Sequence, residues 1–399
     1  MNGKFSYEWA SSHMAILDKI RIKNERGKPL SGHKLGFCLH ITKETSVLVM
    51  AAKHLGAEIA LCSANPLSVQ QDIAEFLSYK GIDVFAWKGE TVKEYNECIH
   101  HVLEFQPDIL TDDGGDLHVA AHKSKIKNIL GGTEETTSGV KRLKSLESRK
   151  QLMYPIIAVN DANTKHMFDN KYGTGQSTID GILRATGLFL PGKHIVVCGY
   201  GWVGKGVSAR ARGMGAIVTV TEIDPIKALE AHMDGFSVRR LSDVTSIGDI
   251  FITCTGQIHV IREEHIRKMK DGAILANAGH FDVEIDVKYI YSQGKSPITV
   301  RPNVEAINIF DKKIFLLSKG RVVNLIGAEG HPPEVMALSF ANQLLSIIFI
   351  SKNYNKMKNT VYTVPSEIDL SVANHALDAM NIKIDSMTDE QYMYHDELD

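Results

Sequence analysis

Cysteine is scarce and unpatterned in this chain: five residues (Cys38, Cys62, Cys98, Cys198 and Cys254) among 399, odd in number and without a Cys-x-x-Cys pair. That excludes a disulfide framework as the organising element, and thiols scattered through apolar runs read as reduced and buried. A strong charge of either sign is also missing. The formal net charge is −2, and no polybasic block or basic–aromatic interleaving occurs, so neither nucleic acid nor an anionic membrane surface is suggested and a small-molecule substrate is expected. No uninterrupted apolar run reaches the roughly 18 residues of a membrane span, and the N-terminal MNGKFSYEWASSHM has no apolar signal core. The expectation is a cytoplasmic protein that does not enter a membrane. The tail ends HDELD, but Asp399 follows the retention-like string and nothing upstream sends the chain to the ER, so the string is discounted.

What the chain does have is strand–helix alternation. HKLGFCLHI, AEIALCSA, IDVFAWKG and PDILTDDGG are short apolar runs separated by helix-like segments such as TSVLVMAAKHLG and QQDIAEFLSYKG, the rhythm of a parallel α/β sheet. The same rhythm returns in HIVVCGY, AIVTVTE, IFITCTG and GAILANAG, and EVMALSFANQLLSIIFISKN then reads as one long apolar helix. With 399 residues of which 44% are hydrophobic, two cores can be filled. The fold class is α/β: two Rossmann-like, doubly wound parallel-sheet domains plus a short C-terminal helical extension. The expected division is 1–164 with 332–365 for substrate, 165–331, which carries the glycine loop Gly199-x-Gly201-x-x-Gly204, for NAD, and 366–399 as an extension that contacts a neighbouring subunit.

VVCGYGWVGKG breaks a hydrophobic run into Gly199-x-Gly201-x-x-Gly204. A strand ending in such a loop and opening a helix offers backbone N–H groups and a helix N-terminus to a pyrophosphate. Glu222 follows a second apolar run, where an acid grips both ribose hydroxyls of NAD and disfavours NADP.

The candidate chemistry lies in the first half and at the joint. LTDDGGDL sets Asp112, Asp113 and Asp116 around two glycines just after a strand. Clustered carboxylates repel, so one could hold a raised pKa and act as a base; the alternative is a turn whose aspartates bond their own backbone. His118 and His122 are four apart, but no third ligand is marked, so they read as a histidine pair and no metal is assigned. Lys165 and Asp169 stand at i and i+4 on one helix face leading to the NAD domain. The bland reading is a surface ion pair. Buried beside nicotinamide, Lys165 would instead have a depressed pKa suited to a proton shuttle.

Taken together, CLHITKET, DDGGDL, GGTEETTSGV, NDANTKHMFDN, GYGWVGKG, TEIDP, NAGHFDVEID and GAEGHPPEVM closely resemble the S-adenosyl-L-homocysteine hydrolase family, in its shorter archaeal-type form with YGTGQS and a trimmed tail. The resemblance runs in order from about residue 8 to 390. It implies a methyl-cycle enzyme in which NAD oxidises the ribose 3′-hydroxyl, a base removes the C4′ proton, homocysteine leaves C5′, water adds, and the cofactor is regenerated in the same turnover. It further implies that Lys165 and Asp169, with Glu135, handle the 3′-hydroxyl proton, that Asp113 is the base near C4′, and that His40 and His280 serve C5′. Thr42, Glu44 and Thr45 match residues around adenine. Asn324, His331 and Met336 match residues around substrate, Asn324 also facing nicotinamide. The cofactor set is Gly199, Gly201, Trp202, Val203, Gly204, Glu222, Thr136, Thr137, Ser138, Asn170, Thr255, Gly256, Asn277, Gly279 and Asn324. A homotetramer is the implied assembly.

The chain departs from the family pattern in places. Val69 and Gln71 stand where a hydroxyl and a carboxylate are usual, Trp202 replaces an aspartate and Thr174 a cysteine of longer members, and only QYMYHDELD remains of the tail that reaches a neighbour's cofactor. Three other readings remain open: a hydrolase of the inosine adduct, against which Glu44 argues because a carboxylate accepts from the adenine amine; a silent NAD-binding regulatory homologue; and a plain dehydrogenase that releases its reduced cofactor.

Overall fold

The structure, a computed structural model, describes residues 2–396; Met1 and residues 397–399, which complete the HDELD string, lie outside the described residues. Two sheets organise it. The first half supplies β1 (Lys34–Cys38), β2 (Glu58–Cys62), β3 (Asp83–Phe85), β4 (Ile109–Asp112), β5 (Gly131–Glu134) and β6 (Ile156–Ala158). The second half supplies β7 (His194–Cys198), β8 (Ile217–Thr221), β9 (Ser237–Val238), β10 (Ile250–Thr253), β11 (Ala273–Asn277), β12 (Ile298–Arg301), β13 (Val304–Ile309) and β14 (Lys312–Leu317), and β15 (Val361–Thr363) returns to the first sheet. The central strands β1, β2, β7, β10 and β11 are mostly buried apolar runs, as expected where helices cover both faces of a parallel sheet.

The first sheet has the order β3-β2-β1-β4-β5-β6-β15 and is parallel throughout. The second has the order β9-β8-β7-β10-β11-β14-β13-β12, parallel except for the β14-β13-β12 edge, where the chain turns back through tight hairpins. Both are doubly wound, with a topological switch between β1 and β4 in one and between β7 and β10 in the other. At such a switch the loops leave in opposite directions and open a crevice at the strands' carboxyl ends.

The helix Pro333–Asn353, begun by a proline that needs no N–H donor there, returns from the second half to the first core, where Ala337, Leu338, Phe340, Ala341, Leu344 and Ile347 are buried. It is long and apolar enough to cross a membrane, yet 67% of its most apolar window is buried inside the protein. Within the expected extension, the helix Ser366–Ala379 buries Ile368, Val372 and Ala376 in that same core, whereas Ile382, Ile384 and Met387 beyond it are exposed.

The chain crosses between the halves through an interrupted helix. Asn163–His166 is α-helical, Asp169–Gly173 makes a single π-helical turn, and Thr174–Thr186 resumes the α-helix. That turn packs onto the helix Trp202–Gly213, at a distance only glycine allows: a Cβ on Gly206 would meet the Lys171 carbonyl oxygen at 1.8 Å. Replacing Gly206 with Ala should therefore lower the thermal midpoint, by the equivalent of about 1–3 kcal/mol for an overpacked contact. Gly213→Ala, at the end of the same helix with nothing within 4 Å of the added methyl, should leave it unchanged. Equal midpoints for the two variants would contradict the close crossing.

Candidate active site

Strand register brings the first group together. Cys38 lies opposite Asp112 and Asp112 opposite Glu134, so the residues just past these strand ends, His40, Asp113 and Glu135, emerge side by side at the switch point. His40 Nε2 is 3.5 Å from Asp113 Oδ2, and His280 Nδ1, on the loop after β11 in the other domain, is 3.7 Å from Asp113 Oδ1. The Ser68 hydroxyl holds His40 Nδ1 at 2.6 Å. Burial pushes the His40 imidazole down to about 4 despite the nearby Asp113 carboxylate, so it is neutral at ordinary pH.

Asp112 faces away from the cleft. Burial brings Asp112 up to about 7, but its oxygens accept from the Asp113 and His118 amides at 2.9 and 2.8 Å. It fixes the loop, while Asp113 lines the cavity. Glu134 does the same from the next strand: its Oε1 accepts from the Gly114 and Thr136 amides at 2.9 and 3.0 Å. His118 and His122 are a packed, hydrogen-bonded pair behind this loop, His118 bonding Tyr154 Oη at 3.1 Å and His122 bonding the His118 carbonyl at 2.7 Å.

The second group surrounds Lys165, which is 3% exposed. Its Nζ lies 2.7 Å from Asp169 Oδ2 and 3.5 Å from Glu135 Oε1, and it donates to Asn170 Oδ1 at 2.8 Å. His331 Nδ1 reaches Asp169 Oδ1 at 2.5 Å, and Asn324 lies 3.2 Å from the other ring nitrogen. A carboxylate can only accept, so this network places the His331 proton on Nδ1.

These distances correct the expectation of a depressed Lys165. Burial does favour the neutral amine, but Asp169 and Glu135 outweigh it and hold the ammonium above its ordinary value. Asp169 moves the opposite way: burial would raise it, and Lys165 and His331 hold it well below the carboxylate range. Burial raises Glu135, whose oxygens accept from Ser339 and, at 2.6 Å, from Gln343 Nε2, both on the long helix from the C-terminal part.

The cofactor end is built on β7. Gly199 has φ +103, and a Cβ on Gly204 would meet the Gly199 carbonyl oxygen at 2.0 Å, whereas nothing lies within 4 Å of one on Gly201. The loop is thus tight beneath and open above, and the first-turn amides of the helix Trp202–Gly213 have no intrahelical acceptor. They face a cleft of about 700 Å³ that runs between the domains, within the usual range for a bound organic ligand. Across it stand Thr136, Thr137 and Ser138. An open glycine, free helix-end donors and hydroxyls opposite fit a dinucleotide pyrophosphate. Glu222 stands at the end of β8, its oxygens accepting from the Tyr200 and Ile223 amides, both at 2.7 Å.

The one cleft collects His40, Thr42, Glu44, Thr45, Asp113, Glu135, Lys165, Asp169, His280, Asn324, His331 and Met336 with Thr136, Thr137, Ser138, Asn170, Gly201, Trp202, Val203, Thr255, Gly256 and Gly279. Gly199, Gly204, Glu222 and Asn277 do not line it. Asn277 is fully buried and bonds Gly279 N, Phe281 O and Gly320 O, which shapes the loop carrying His280. Ser339, Gln343, Asn160 and Glu284 were not anticipated. Ser339 and Gln343 do leave a trace, as polar residues inside the apolar run MALSFANQLL. Of the departures, Val69 packs in the first core and Gln71 is exposed, accepting from the Lys88 amide at 3.1 Å; neither lines the cleft. Thr174 Oγ1 bonds His331 Nε2 at 3.2 Å.

Comparison with known proteins matches residues 2–128 to the S-adenosyl-L-homocysteine hydrolase model and residues 170–330 to that enzyme's NAD binding domain. An adenosylhomocysteinase of Sulfurisphaera tokodaii is 55% identical over 394 residues, covering 98% of this chain and 95% of that protein. One from Archaeoglobus fulgidus is 49% identical, covering 99% and 98%. An S-inosyl-L-homocysteine hydrolase of Methanocaldococcus jannaschii is 51% identical, covering 98% and 95%.

Lys165→Met leaves Asp169 and Glu135 facing each other without their cation, and breaking such a buried pair costs about 3–5 kcal/mol. Its thermal midpoint should fall steeply, and Lys165→Met/Asp169→Asn should recover part of the loss by removing the orphaned charge. A double variant no more stable than the single one would contradict the charge balance.

Proposed function

The chain belongs to the S-adenosyl-L-homocysteine hydrolase family, and on that footing we propose that it reversibly cleaves S-adenosyl-L-homocysteine to adenosine and L-homocysteine, using NAD held between its domains. The observation that carries this reading is the meeting, in one cleft, of the Lys165–Asp169–Glu135 cluster, the Asp113–His40–His280 cluster and the free helix end at Gly201. Bound NAD supplies a transient oxidation at the ribose 3′-carbon, which acidifies the neighbouring C4′ proton.

The chain's own groups then divide the remaining work. Lys165, kept as an ammonium, donates to the ribose oxygens. As the 3′-hydroxyl proton moves onto Lys165, one of the ammonium protons moves to Glu135, raised by burial and 3.5 Å away, so Lys165 stays an ammonium and the proton rests on Glu135 until the hydride returns. Asp113 removes the C4′ proton. Neutral His40 accepts a proton from the water that attacks C5′, and His280 protonates the departing sulfur. Closure of the two domains keeps bulk water from the reactive sugar.

Glu44 and Thr42 recognise the base in this account, and a Glu44 carboxylate favours an adenine amine over the carbonyl of hypoxanthine. The inosine adduct is the second reading. Burial raises the Glu44 carboxyl, and the protonated form would suit a carbonyl. We place the protein in the cytoplasm, consistent with its unpaired cysteines, divided at 165 and 332 as above. We further propose a homotetramer, to which the exposed Ile382, Ile384 and Met387 would contribute.

The deciding experiment incubates the purified protein, without added cofactor, with each of the two homocysteine adducts, following nucleoside release and 340 nm absorbance together. Adenosine release with a substoichiometric absorbance rise is the expected result. No release from either substrate even with added NAD contradicts the hydrolase reading and favours a silent homologue, and stoichiometric accumulation of reduced cofactor favours a dehydrogenase. In the pH profile, the part of the acid limb of kcat/KM that belongs to His40, the part that changes in His40→Asn, should lie near pH 4, where His40 takes its proton. An acid limb near pH 6.5 that disappears in His40→Asn would contradict a neutral, buried His40.

A further inference from the structure

Lys43 precedes Glu44 at the start of the helix Lys43–His54 and has no task in the account above. Its side chain is only 12% exposed, with Nζ 3.3 Å from Glu44 Oε1 and 3.0 Å from Glu329 Oε2. That Glu44 oxygen is buried and has no hydrogen-bond partner among the described residues, Lys43 being its ion-pair neighbour. The chain of charge continues: Glu329 Oε1 is 3.1 Å from Arg184 Nη1, and Arg184 Nε is 2.9 Å from Asp180 Oδ1.

The residues in this relay belong to different parts of the fold. Lys43 and Glu44 sit on the first core. Glu329 lies in the segment between the helices Val323–Ile326 and Pro333–Asn353, where the chain passes back from one domain to the other. Arg184 is on the helix whose Ile179, Ile182 and Ala185 pack in the second core. One ammonium therefore serves a cleft-lining carboxylate and, through Glu329, the neighbouring domain.

We propose that Lys43 is a specificity-determining residue: it keeps Glu44 an ionised acceptor for the amino group of a 6-aminopurine, and it ties occupation of the base site to the interdomain arm through Glu329 and Arg184. The proposal rests on the assignment of Glu44 to base recognition. Burial alone drives Glu44 towards its protonated form, and the Lys43 charge is the largest influence opposing that. As a carboxylate Glu44 accepts from an exocyclic amine; as a carboxylic acid it offers an O–H that suits the 6-oxo group of hypoxanthine. Sharing the ammonium with Glu329 places Lys43 between the base-site carboxylate and the segment that joins the domains.

The test compares the NAD-loaded wild type with Lys43→Gln, Lys43→Arg and Glu329→Gln, measuring kcat/KM for the adenosine and the inosine adducts. Thermal midpoints verify folding. Lys43→Gln should narrow the preference for the adenosine adduct several-fold and should move the loss of that preference on acidification to higher pH, because the charge that opposes Glu44 protonation is gone; Lys43→Arg should restore most of both. Glu329→Gln, at an exposed side chain, should keep the preference and lower kcat/KM for both substrates alike. A folded, active Lys43→Gln with the wild-type preference overturns the role of Lys43. A Glu329→Gln indistinguishable from wild type overturns the coupling to the arm. A wild type that prefers the inosine adduct, or processes neither, overturns the base assignment on which both rest.

Discussion

An ammonium group almost out of contact with water, Lys165 between Asp169 and Glu135, is the constraint that most of the surrounding structure serves. Taking three charges out of solvent is costly unless each finds its partners, and the neighbourhood is arranged to provide them. His331 and Asn324 come from the end of the second domain, and Ser339 and Gln343 from the long helix that returns to the first. The π-helical turn at Asp169–Gly173 places Asn170 where its amide oxygen can accept from the same ammonium. Such turns are rare and frequently sit at functional sites, and here the turn is held by the packing that Gly206 permits.

The second consequence is that the reactive groups are distributed by topology rather than by sequence proximity. His40, Asp113 and Glu135 are more than 20 residues apart from one another, yet they follow strand ends that share one register line through Cys38, Asp112 and Glu134. In the other sheet, Cys198, Thr253 and Asn277 share a corresponding line, and Gly199, Cys254 and Ala278 follow them. Two switch-point crevices face each other, and the cleft between them can hold a nucleoside against a dinucleotide. Either half alone would present only half of the chemistry.

Much of this was legible from residues. Apolar runs of parallel-strand type, the glycine loop and the acidic turn after β4 follow local rules, and the conjunction of motifs named the family. The electrostatics were not legible. The spacing of Lys165 and Asp169 says that they meet, but not that they meet in a buried site where Asp169, and after it Glu135 from 30 residues upstream, outweigh burial and hold the ammonium. In the same way, the acid crowding of LTDDGGDL does not say which carboxyl is raised: burial, the larger cause, acts on Asp112, which faces inward, and outweighs the Asp113 and His118 amides that favour its charged form. Ser339 and Gln343 could be noticed as polar interruptions of an apolar helix, and Glu135 came from the family resemblance, but that they bond one another is visible only in the packed helix.

The central claim is that two separate clusters act on the sugar, the Lys165 group on the 3′-oxygen and Asp113 on the C4′ proton. Solvent exchange at C4′ tests it most directly, with adenosine and the NAD-loaded protein in deuterated water followed by proton NMR. The account predicts exchange in the wild type, and in Asp113→Asn a rise in 340 nm absorbance from the bound cofactor without exchange at C4′. Exchange at the wild-type rate in Asp113→Asn would contradict the assignment and move the proton transfer to another residue of the cleft.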